Sequence, residues 1–259
     1  MNVVIRSAKR AVSSLLPRFF EKRRLIRLYH EEMTGQRNSA IDFLVRACRR
    51  RTFIDVGANR GCYSFHLKGH ASRVIAFEPI PELCQQIALY NPEVEVRQVA
   101  LSDETGSTLL HVPTRGEHVI FTRASLNSRA NGGFNLKNIR VETARLDDYR
   151  FEEVGAIKID VEGHELSVIR GATRTILTAR PLLLVEIEER HNPGEAQHVI
   201  DHIVDLGYEC FYFGPDGSLI PAESFDFGYF QSIDNLPDPV HGGGGLYVND
   251  FMFVPLNAQ

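Results

Sequence analysis

Short apolar runs and stretches of helical spacing alternate along most of the chain. Glycine, proline or charged residues bound each apolar run, which is typical of strands buried between layers of helices. A regular alternation of strand and helix predicts an α/β domain with a mainly parallel sheet. The pattern predicts strands at 53–56, 74–77, 94–99, 156–159, 182–185, 208–213 and 251–255, and helices at 62–67, 81–90 and 197–206.

Two glycines follow the first predicted strand in the spacing D-x-G-x-x-x-G. Gly57 turns the chain, and Gly61 leads into a helix whose free N–H groups favour anionic groups. We expect a ligand to approach the backbone at Gly57, where a side chain would fill the space. The spacing lacks the glycine of G-x-G-x-x-G that lets a pyrophosphate lie against the turn, so a dinucleotide ligand is disfavoured.

An acid stands at the end of the second predicted strand. Glu78 follows Gly57 by 21 positions, close to the offset of roughly 20 residues at which such an acid accepts hydrogen bonds from a ribose. The turn, the offset acid and the strand context together predict adenosine binding. The alternative is a tight turn followed by an ordinary surface glutamate.

Five segments of the chain, in order, resemble the FkbM family of S-adenosylmethionine-dependent O-methyltransferases: IDVGANRGCYS, AFEPIP, VALSD, IKIDVEGHELSVIRGA and LLVEIEERH. The resemblance covers residues 51–213, with a weaker echo in the closing DFMFVPL. It implies a Rossmann-like class I methyltransferase fold, with a mostly parallel seven-stranded sheet, an antiparallel final strand and β insertions. We therefore expect an N-terminal helical arm over residues 1–47 and a methyltransferase domain over residues 48–259.

The same resemblance implies a reaction and an acceptor. A methyl group would pass from S-adenosylmethionine to a hydroxyl, which we expect on a sugar of a glycolipid, polysaccharide or glycosylated natural product. Two other functions stay open at this point. One is ribose 2'-O-methylation of a nucleic acid held by a basic arm, and the other is a non-catalytic binding module that keeps the cofactor pocket.

The cofactor is expected across the tips of the first two strands. By resemblance, the adenine lies beside Leu101 and Ser102, although Ser102-Asp103 is equally compatible with a turn or cap. The expected cofactor-binding residues are Asp55, Gly57, Ala58, Asn59, Gly61, Tyr63, Ser64, Glu78, Pro79, Leu101, Ser102 and Asp160.

Acids at the ends of predicted strands indicate where the methyl group is transferred. The carboxyl ends of parallel strands meet at one edge of a sheet, so these acids would share a cleft and offset the charge of a sulfonium. An alcohol also needs a base, and an imidazole with its ordinary pKa of about 6.5 suits that role. The expected catalytic residues are His191 as the base, Asp160, Glu188, and His164 as a rival base or a helix cap.

A second resemblance raises the question of a metal. Residues 187–191, IEERH, are similar to the I-E-D-x-H stretch of magnesium-dependent macrocin-type sugar O-methyltransferases. Carried over, it makes Asp160, Glu188 and Glu189 candidate ligands of Mg²⁺, which prefers oxygen ligands. Glutamate replaces the aspartate of that stretch at position 189, and its longer reach leaves the metal site open.

Residues 104–150 form a long connection between the third and fourth predicted strands. It contains short β-like runs at 108–112 and 139–143 and a polar tract between them. Connections of this length are usually functional or disordered, and amides and guanidiniums suit a sugar or a phosphate. We expect a substrate flap here, and a plain mobile loop is the alternative. The polar tract includes Arg115, Arg123, Asn127, Arg129, Asn131 and Asn135.

The net charge of −4 conceals a basic N-terminus. Residues 1–28 hold eight basic side chains and one acidic one, so the rest of the chain carries −11. Interleaved apolar residues predict one or two amphipathic helices, broken near Pro17. Three interpretations compete: an arm with a solvated basic face, a helix at an anionic membrane surface, and nucleic-acid contact. The last is disfavoured because no aromatic residues are interleaved to stack on bases.

Composition indicates a soluble globular protein. The four cysteines are widely spaced, with no C-x-x-C pair, so neither zinc nor a disulfide framework is indicated. No apolar run approaches the 18 or so residues of a membrane span. The expected location is the cytoplasm, with contact to a membrane surface through the arm as an additional option.

Overall fold

Twelve strands form in the part of the chain that this computed structural model describes, namely residues 21–31, 36–116, 118–235 and 246–256. They are β1 (Thr52–Val56), β2 (Arg73–Phe77), β3 (Glu95–Arg97), β4 (Ala100–Leu101), β5 (Gly106–Arg115), β6 (His118–Val119), β7 (Asn135–Ala144), β8 (Val154–Ile159), β9 (Leu182–Glu186), β10 (Tyr208–Phe213), β11 (Leu219–Pro221) and β12 (Asp250–Pro255).

Helices and short 3₁₀ turns connect these strands. The helices are α1 (residues 21–31), α2 (Gln36–Ala47), α3 (Cys62–Leu67), α4 (Pro81–Tyr90), α5 (Glu165–Gly171), α6 (Thr173–Ala179), α7 (Ala196–Asp205) and α8 (Phe227–Phe230). The 3₁₀ turns are Phe121–Arg123, Leu146–Tyr149 and Ile233–Asn235.

The main sheet has the strand order β11-β10-β12-β9-β8-β1-β2-β3. Strand β1 lies in its interior, parallel to β2 on one side and to β8 on the other, and all five of its residues are buried. Burial on both faces explains why the strand is a continuous apolar run around Asp55, with each buried Ile or Phe contributing about 1.5–3 kcal/mol. The chain order reverses at β1, which makes the carboxyl end of β1 the switch point of the sheet.

The Rossmann-like class I fold is confirmed, with one correction to the strand count. Strand β12 runs antiparallel to both β9 and β10, as expected of the final strand. The sheet has eight strands rather than seven, because β11 pairs antiparallel with β10. The tight turn from Gly214, whose N–H donates to Ser218 O at 2.8 Å, folds the chain back and creates this extra edge strand.

The expected β insertion forms a second sheet, in the order β4-β7-β5-β6. Its long strands, β5 and β7, pair antiparallel from Gly106↔Thr143 to Thr114↔Asn135, well beyond the predicted runs at 108–112 and 139–143. Alternate residues Leu110, Val112 and Val141 pack in a common apolar cluster with Ile80 and Leu83. This hairpin is therefore anchored to the main domain beside the carboxyl end of β2.

Helices α1 and α2 pack on the same core as the sheet. Leu25 and Tyr29 of α1 and Leu44 of α2 lie in one apolar cluster with Phe53 of β1. The Tyr29 hydroxyl donates a hydrogen bond to Arg60 O at 2.5 Å. Helix α1 thus contacts the turn that follows β1. The predicted break near Pro17 lies outside the described residues.

Candidate functional site

A cavity of about 580 Å³, open to solvent, lies beyond the carboxyl ends of β1, β2 and β8. The loops after these strands form its floor, and residues of the β insertion form its roof. Its lining changes from apolar beside the insertion to acidic beside β8. The lining residues are Val56, Gly57, Asn59, Phe77, Glu78, Pro79, Ile80, Val99, Ala100, Leu101, Leu110, Phe121, Thr122, Ala124, Leu126, Asp160, Val161, Glu162 and His164.

Gly57 makes the turn at the cavity floor, with a positive φ of 69°. Its N–H and that of Ala58 both donate to Phe77 O, at 3.0 and 3.1 Å, which fastens the turn to β2. A Cβ atom at Gly57 would lie 1.9 Å from Asp160 O. The neighbour that requires glycine is therefore the backbone after β8, and not a ligand as the sequence suggested.

Asp55 and Lys158 hold this floor from below. Oδ2 of Asp55 accepts hydrogen bonds from the backbone N–H and the hydroxyl of Ser64, at 3.0 and 2.6 Å. The Lys158 ammonium donates to Gly57 O at 2.9 Å and lies 3.1 Å from Asp160 and 3.7 Å from Asp55. Burial lowers the pKa of Lys158, but the carboxylates of Asp160 and Asp55 outweigh burial and raise it above its ordinary value. The lysine stays charged and ties the loops after β1 and β8 together.

Glu78 lies at the end of the cavity beyond β2 and is only 4% exposed. Its two carboxylate oxygens accept hydrogen bonds from the backbone N–H groups of Asn59 and Ile80, at 2.8 and 2.9 Å. Burial raises the pKa of Glu78 to about 7, although both N–H groups oppose that rise. Each oxygen keeps a lone pair for a further donor, such as a ribose hydroxyl.

The structure divides the expected cofactor residues into two groups. Gly57, Asn59, Glu78, Pro79, Leu101 and Asp160 line the cavity. The others support it from outside its lining: Asp55, Ala58, Gly61, Tyr63, Ser64 and Ser102. Gly61 has a φ of 83°, and a Cβ there would lie 3.0 Å from Ile87. Lys158 Nζ lies 5.4 Å from the centroid of the Tyr63 ring.

Three carboxylates meet at the acidic end of the cavity. Oxygens of Asp160, Glu162 and Glu186 lie within 4.8 Å of one another. Burial, then the adjacent Asp160 carboxylate, raise the pKa of Glu186 well above its ordinary value. We call these three residues the acid trio. The trio would repel itself unless protons or cations offset its charge.

The acid trio differs from the expected metal-ligand set of Asp160, Glu188 and Glu189. Glu188 is occupied by the Arg190 guanidinium, by the Tyr247 hydroxyl at 3.1 Å and by the Asn249 amide at 2.9 Å. Glu189 accepts a hydrogen bond from Gly194 N–H instead. Strand β9 extends to Glu186, and the chain then turns, with His191 N–H donating to Glu188 O at 3.1 Å. After this turn, neither Glu188 nor Glu189 belongs to the close carboxylate group around Asp160 in the described residues.

Of the two candidate histidines, the rival base His164 lines the cavity, whereas the expected base His191 does not. His164 lines the cavity, with Nε2 2.9 Å from the Ser102 hydroxyl, and burial lowers the pKa of His164. His191 is only 3% exposed and is not part of the lining. Its Nδ1 atom lies 2.7 Å from Oε2 of Glu162, which does line the cavity. His191 therefore reaches the cavity through Glu162.

Sequence reasoning missed the way in which the insertion is fastened over the cavity. The Ser125 hydroxyl donates to Glu162 O at 2.6 Å. The Asn127 amide donates to Gly163 O at 3.1 Å and to His191 O at 3.3 Å. Residues of 121–127 thus lie over the cavity, and the substrate flap stays a prediction. Its signal in the sequence was only the polar composition of the tract.

None of the helices formed by the described residues combines the length and the apolar character that crossing a bilayer requires.

Comparison with known proteins adds a family and several relatives. Residues 55–210, more than half of the chain, match the family model described as the methyltransferase FkbM domain. AMB antimetabolite synthetase AmbE of Pseudomonas aeruginosa is 27% identical over 198 residues, which cover 60% of this chain and 9% of AmbE. Hexuronic acid methyltransferase AglP of Haloferax volcanii is 26% identical over 153 residues, which cover 56% of this chain and 59% of AglP.

The match to these curated relatives thus spans less than two thirds of their own lengths. Among solved structures, methyltransferase FkbM from Methylobacillus flagellatus superposes with a TM-score of 0.47 at 16% identity. That superposition covers 78% of this chain and 43% of the other.

Proposed function

Because the chain belongs to the methyltransferase FkbM domain family, we propose that it transfers the methyl group of S-adenosylmethionine to a hydroxyl of a sugar. One observation carries the proposal: a single cavity joins the Gly57 turn and Glu78 to the acid trio. The ribose hydroxyls would donate to Glu78, and the adenine would lie in the apolar part between Leu101 and the roof. The sulfonium would then face Asp160 and Glu162.

The charge of the cavity supports a cationic cofactor. Carboxylates of the acid trio face the cavity or lie beside it, and the Lys158 ammonium contacts Asp160. Such a field attracts the sulfonium and the ammonium of S-adenosylmethionine. After transfer the sulfur is a neutral thioether, so the same field holds the product less strongly. The acids thus favour binding of the substrate form of the cofactor over the product form.

The same field supports a neutral acceptor. A sugar carboxylate approaching Glu162 would meet like charges at short range, whereas a sugar hydroxyl would meet hydrogen-bond acceptors. The name of AglP refers to a hexuronic acid, and its identity to this chain is only 26%. For this chain we favour a hydroxyl over a carboxylate as the methylated group. Placing that hydroxyl about 3 Å from the methyl carbon, in line with the departing sulfur, would supply much of the rate enhancement.

Magnesium does not enter this mechanism. The residues expected as ligands do not fit the ion, because Arg190, Tyr247 and Asn249 already occupy Glu188 and Glu189 lies elsewhere. The acid trio has Lys158 as a counter-charge, and the Asn249 amide donates to Glu186. We expect the rate to be the same with added Mg²⁺ and with a chelator. A rate that falls at least tenfold with the chelator and returns with Mg²⁺ would contradict this.

Isothermal titration with S-adenosylmethionine tests the first step of the proposal. We expect binding in the micromolar range, and a failure to bind below about 1 mM would count against the function as a whole.

A screen for methyl incorporation then compares matched glucosides and glucuronides. We expect incorporation into glucoside hydroxyls. Methyl ester formation on the glucuronides would overturn the preference for a neutral acceptor.

The alternative function, ribose 2'-O-methylation, predicts that the exposed basic residues of helix α1 bind nucleic acid. Leu25 and Tyr29 are buried against the domain, whereas Lys22, Arg24 and Arg27 are exposed. Its buried apolar face is not available for insertion into a bilayer, so contact with a membrane would be electrostatic. The charge-reversal variant K22E/R24E/R27E tests both partners. Salt-sensitive loss of binding to anionic vesicles supports a membrane surface, and loss of RNA binding supports a nucleic acid.

A non-catalytic module is the remaining alternative. It predicts S-adenosylmethionine binding with no methyl incorporation from any acceptor, and a cellular function that survives Asp160→Ala. The proposed enzyme predicts that the same variant loses function.

A further inference from the structure

Glu162 has an unusual backbone conformation at the cavity wall. Its φ is 56°, in the left-handed region that a non-glycine residue rarely adopts. Such strain costs of order 1–3 kcal/mol and persists where the surroundings impose it. Here Ser125 binds the carbonyl of Glu162, and Asn127 binds that of Gly163. A Cβ at Gly163 would lie 2.5 Å from His191 O, so the next residue is also confined.

The carboxylate of Glu162 has one oxygen against a buried imidazole. His191 Nδ1 lies 2.7 Å from Oε2. The other ring nitrogen, Nε2, is buried and has no hydrogen-bond partner among the described residues. A proton on Nε2 would be an unpaired buried N–H, so the tautomer with its proton on Nδ1 is favoured. That tautomer places its N–H beside Oε2 in an electrostatic contact of 2.7 Å, although the pair does not have the geometry of a hydrogen bond, and Oε1 is left for the cavity.

On this geometry, and resting on the proposed function, we propose that Glu162 is the general base of methyl transfer and that His191 is its positioning residue. An oxygen lone pair of the sugar hydroxyl forms the new O–C bond while the C–S bond breaks, and its electron pair goes to sulfur. The hydroxyl proton passes to Oε1 of Glu162. The products are the methyl ether, the neutral thioether and a protonated Glu162, which returns its proton to solvent.

Burial and neighbouring charges change the pKa of Glu162, which lines the cavity beside His191. Burial raises the pKa of Glu162, as do the Asp160 and Glu188 carboxylates, and the His191 contact lowers it. The charged and titratable groups facing it are Asp160 on its own loop, Glu186 and Glu188 at the end of β9, and Arg190 and His191 in the turn that follows. The base acts when ionised, so the rate falls as pH falls through this raised pKa.

Steady-state kinetics on an active glucoside from the screen, with Glu162→Gln, test the assignment. We expect the S-adenosylmethionine Kd to rise by less than about tenfold, because one of the three acids beside the sulfonium loses its charge, and kcat at saturating cofactor to fall by about 10²–10⁴-fold. A wild-type protein that does not bind S-adenosylmethionine would refute the proposed function itself. A Glu162→Gln protein that binds the cofactor and keeps its kcat would refute only the base. A larger loss of kcat in His191→Gln than in Glu162→Gln would also refute it.

The pH–rate profile tests whether His191 positions the Glu162 carboxylate. His191→Leu removes the N–H beside Oε2, so the pKa of Glu162 rises further and the rising limb of the pH–rate profile moves to higher pH. His191→Gln restores an N–H donor and should move the limb back. A limb that stays in place in His191→Leu would exclude positioning through Glu162.

An infrared measurement tests whether the Glu162 carboxylate takes up a proton, and it needs no methyl acceptor. Difference spectra of the S-adenosylmethionine complex between acidic and alkaline pH should show a carboxylic acid C=O band that is lost in Glu162→Gln. Glu165→Gln serves as the matched control, since Glu165 is also buried but lies outside the cavity lining. A titrating band that survives in Glu162→Gln and disappears in the control would contradict the assignment.

Discussion

The two ends of the cavity each hold a glutamate, buried Glu78 and partly buried Glu162, in different ways. At the end of the cavity where we propose that the cofactor binds, which we call the cofactor end, both oxygens of Glu78 accept hydrogen bonds from backbone N–H groups. At the transfer end, the Glu162 carboxylate lies against the His191 ring, and side chains from the insertion hold its backbone. Burial raises the pKa of both glutamates.

This difference separates a carboxylate built to bind from one suited to exchange a proton. Backbone N–H groups are fixed donors that stay in place in either protonation state of the acid. The two hydroxyls of a bound ribose would donate further hydrogen bonds, which would favour the ionised form of Glu78. Glu162 has no backbone donor on its carboxylate in the described contacts, so its protonation depends on movable neighbours. The predictions below test each end of this comparison.

The largest effect is expected at the cavity floor. Gly57→Ala forces a Cβ to within 1.9 Å of Asp160 O at a positive φ, so we expect a loss of more than about 3 kcal/mol in the free energy of unfolding. Cofactor binding should be lost with it. Gly116→Ala is the matched control, because φ is 62° but no atom lies within 4 Å, and it should cost about 1–2 kcal/mol. Equal losses in denaturant titrations would contradict the close packing of the two loops.

The next largest effect is expected at Lys158, the cation that joins the loops after β1 and β8. Lys158→Met leaves the buried Asp55 carboxylate and the partly exposed Asp160 carboxylate without this counter-charge, and we expect a loss of about 3–5 kcal/mol in the free energy of unfolding. Adding Asp55→Asn should recover part of that loss. The exposed pair of Lys68 and Glu93 provides the comparison, with Lys68→Met costing about 1 kcal/mol or less. Similar values for the two lysine variants in urea titrations would show that Lys158 is not structurally important.

A smaller, pH-dependent effect is expected at Glu78. Since burial raises the pKa of Glu78 to about 7 and ribose hydroxyls favour the ionised form, the affinity for S-adenosylmethionine should fall as pH falls below 7. The limit is about tenfold per pH unit, and binding at about pH 6 should release a proton. Titration calorimetry in two buffers of different ionisation enthalpy measures that release. In Glu78→Gln the affinity should be weaker by about 10–100-fold and no longer vary with pH in this range.

The smallest effect on kcat is expected at Glu189, which the sequence suggested as a metal ligand. Glu189→Gln keeps an oxygen to accept from Gly194 N–H, so we expect kcat within twofold of the wild type. A drop of tenfold or more that depends on added Mg²⁺ would restore the metal set expected from sequence.

Sequence predicts the positions of the Gly57 turn, Glu78 and the helices beside them because their determinants are local. The turn at Gly57 and the acid at Glu78 sit at fixed offsets from strand ends, and the bounds of α3 and α4 agree with the predicted 62–67 and 81–90. Pro81 at the first turn and Asn91-Pro92 at the end mark α4 directly.

The transfer end was harder because its determinants are distant in sequence. Extension of β9 by one residue places Glu186 beside Asp160, and the turn that follows takes Glu188 and Glu189 elsewhere. No periodicity indicates that His191 stands behind Glu162, since the two are brought together by the pairing of β8 with β9. Ser125 and Asn127 act across 36–64 residues, which spacing rules do not reach.

The Tyr29 hydroxyl on Arg60 O also has a consequence for how the protein is handled in the laboratory. Removing residues before 48 as a dispensable leader would cut one support from beneath the cofactor loop, because the Asn91 amide and the Arg60 carbonyl both meet at that hydroxyl. A fusion partner or crystallisation truncation is therefore best designed with Tyr29 retained.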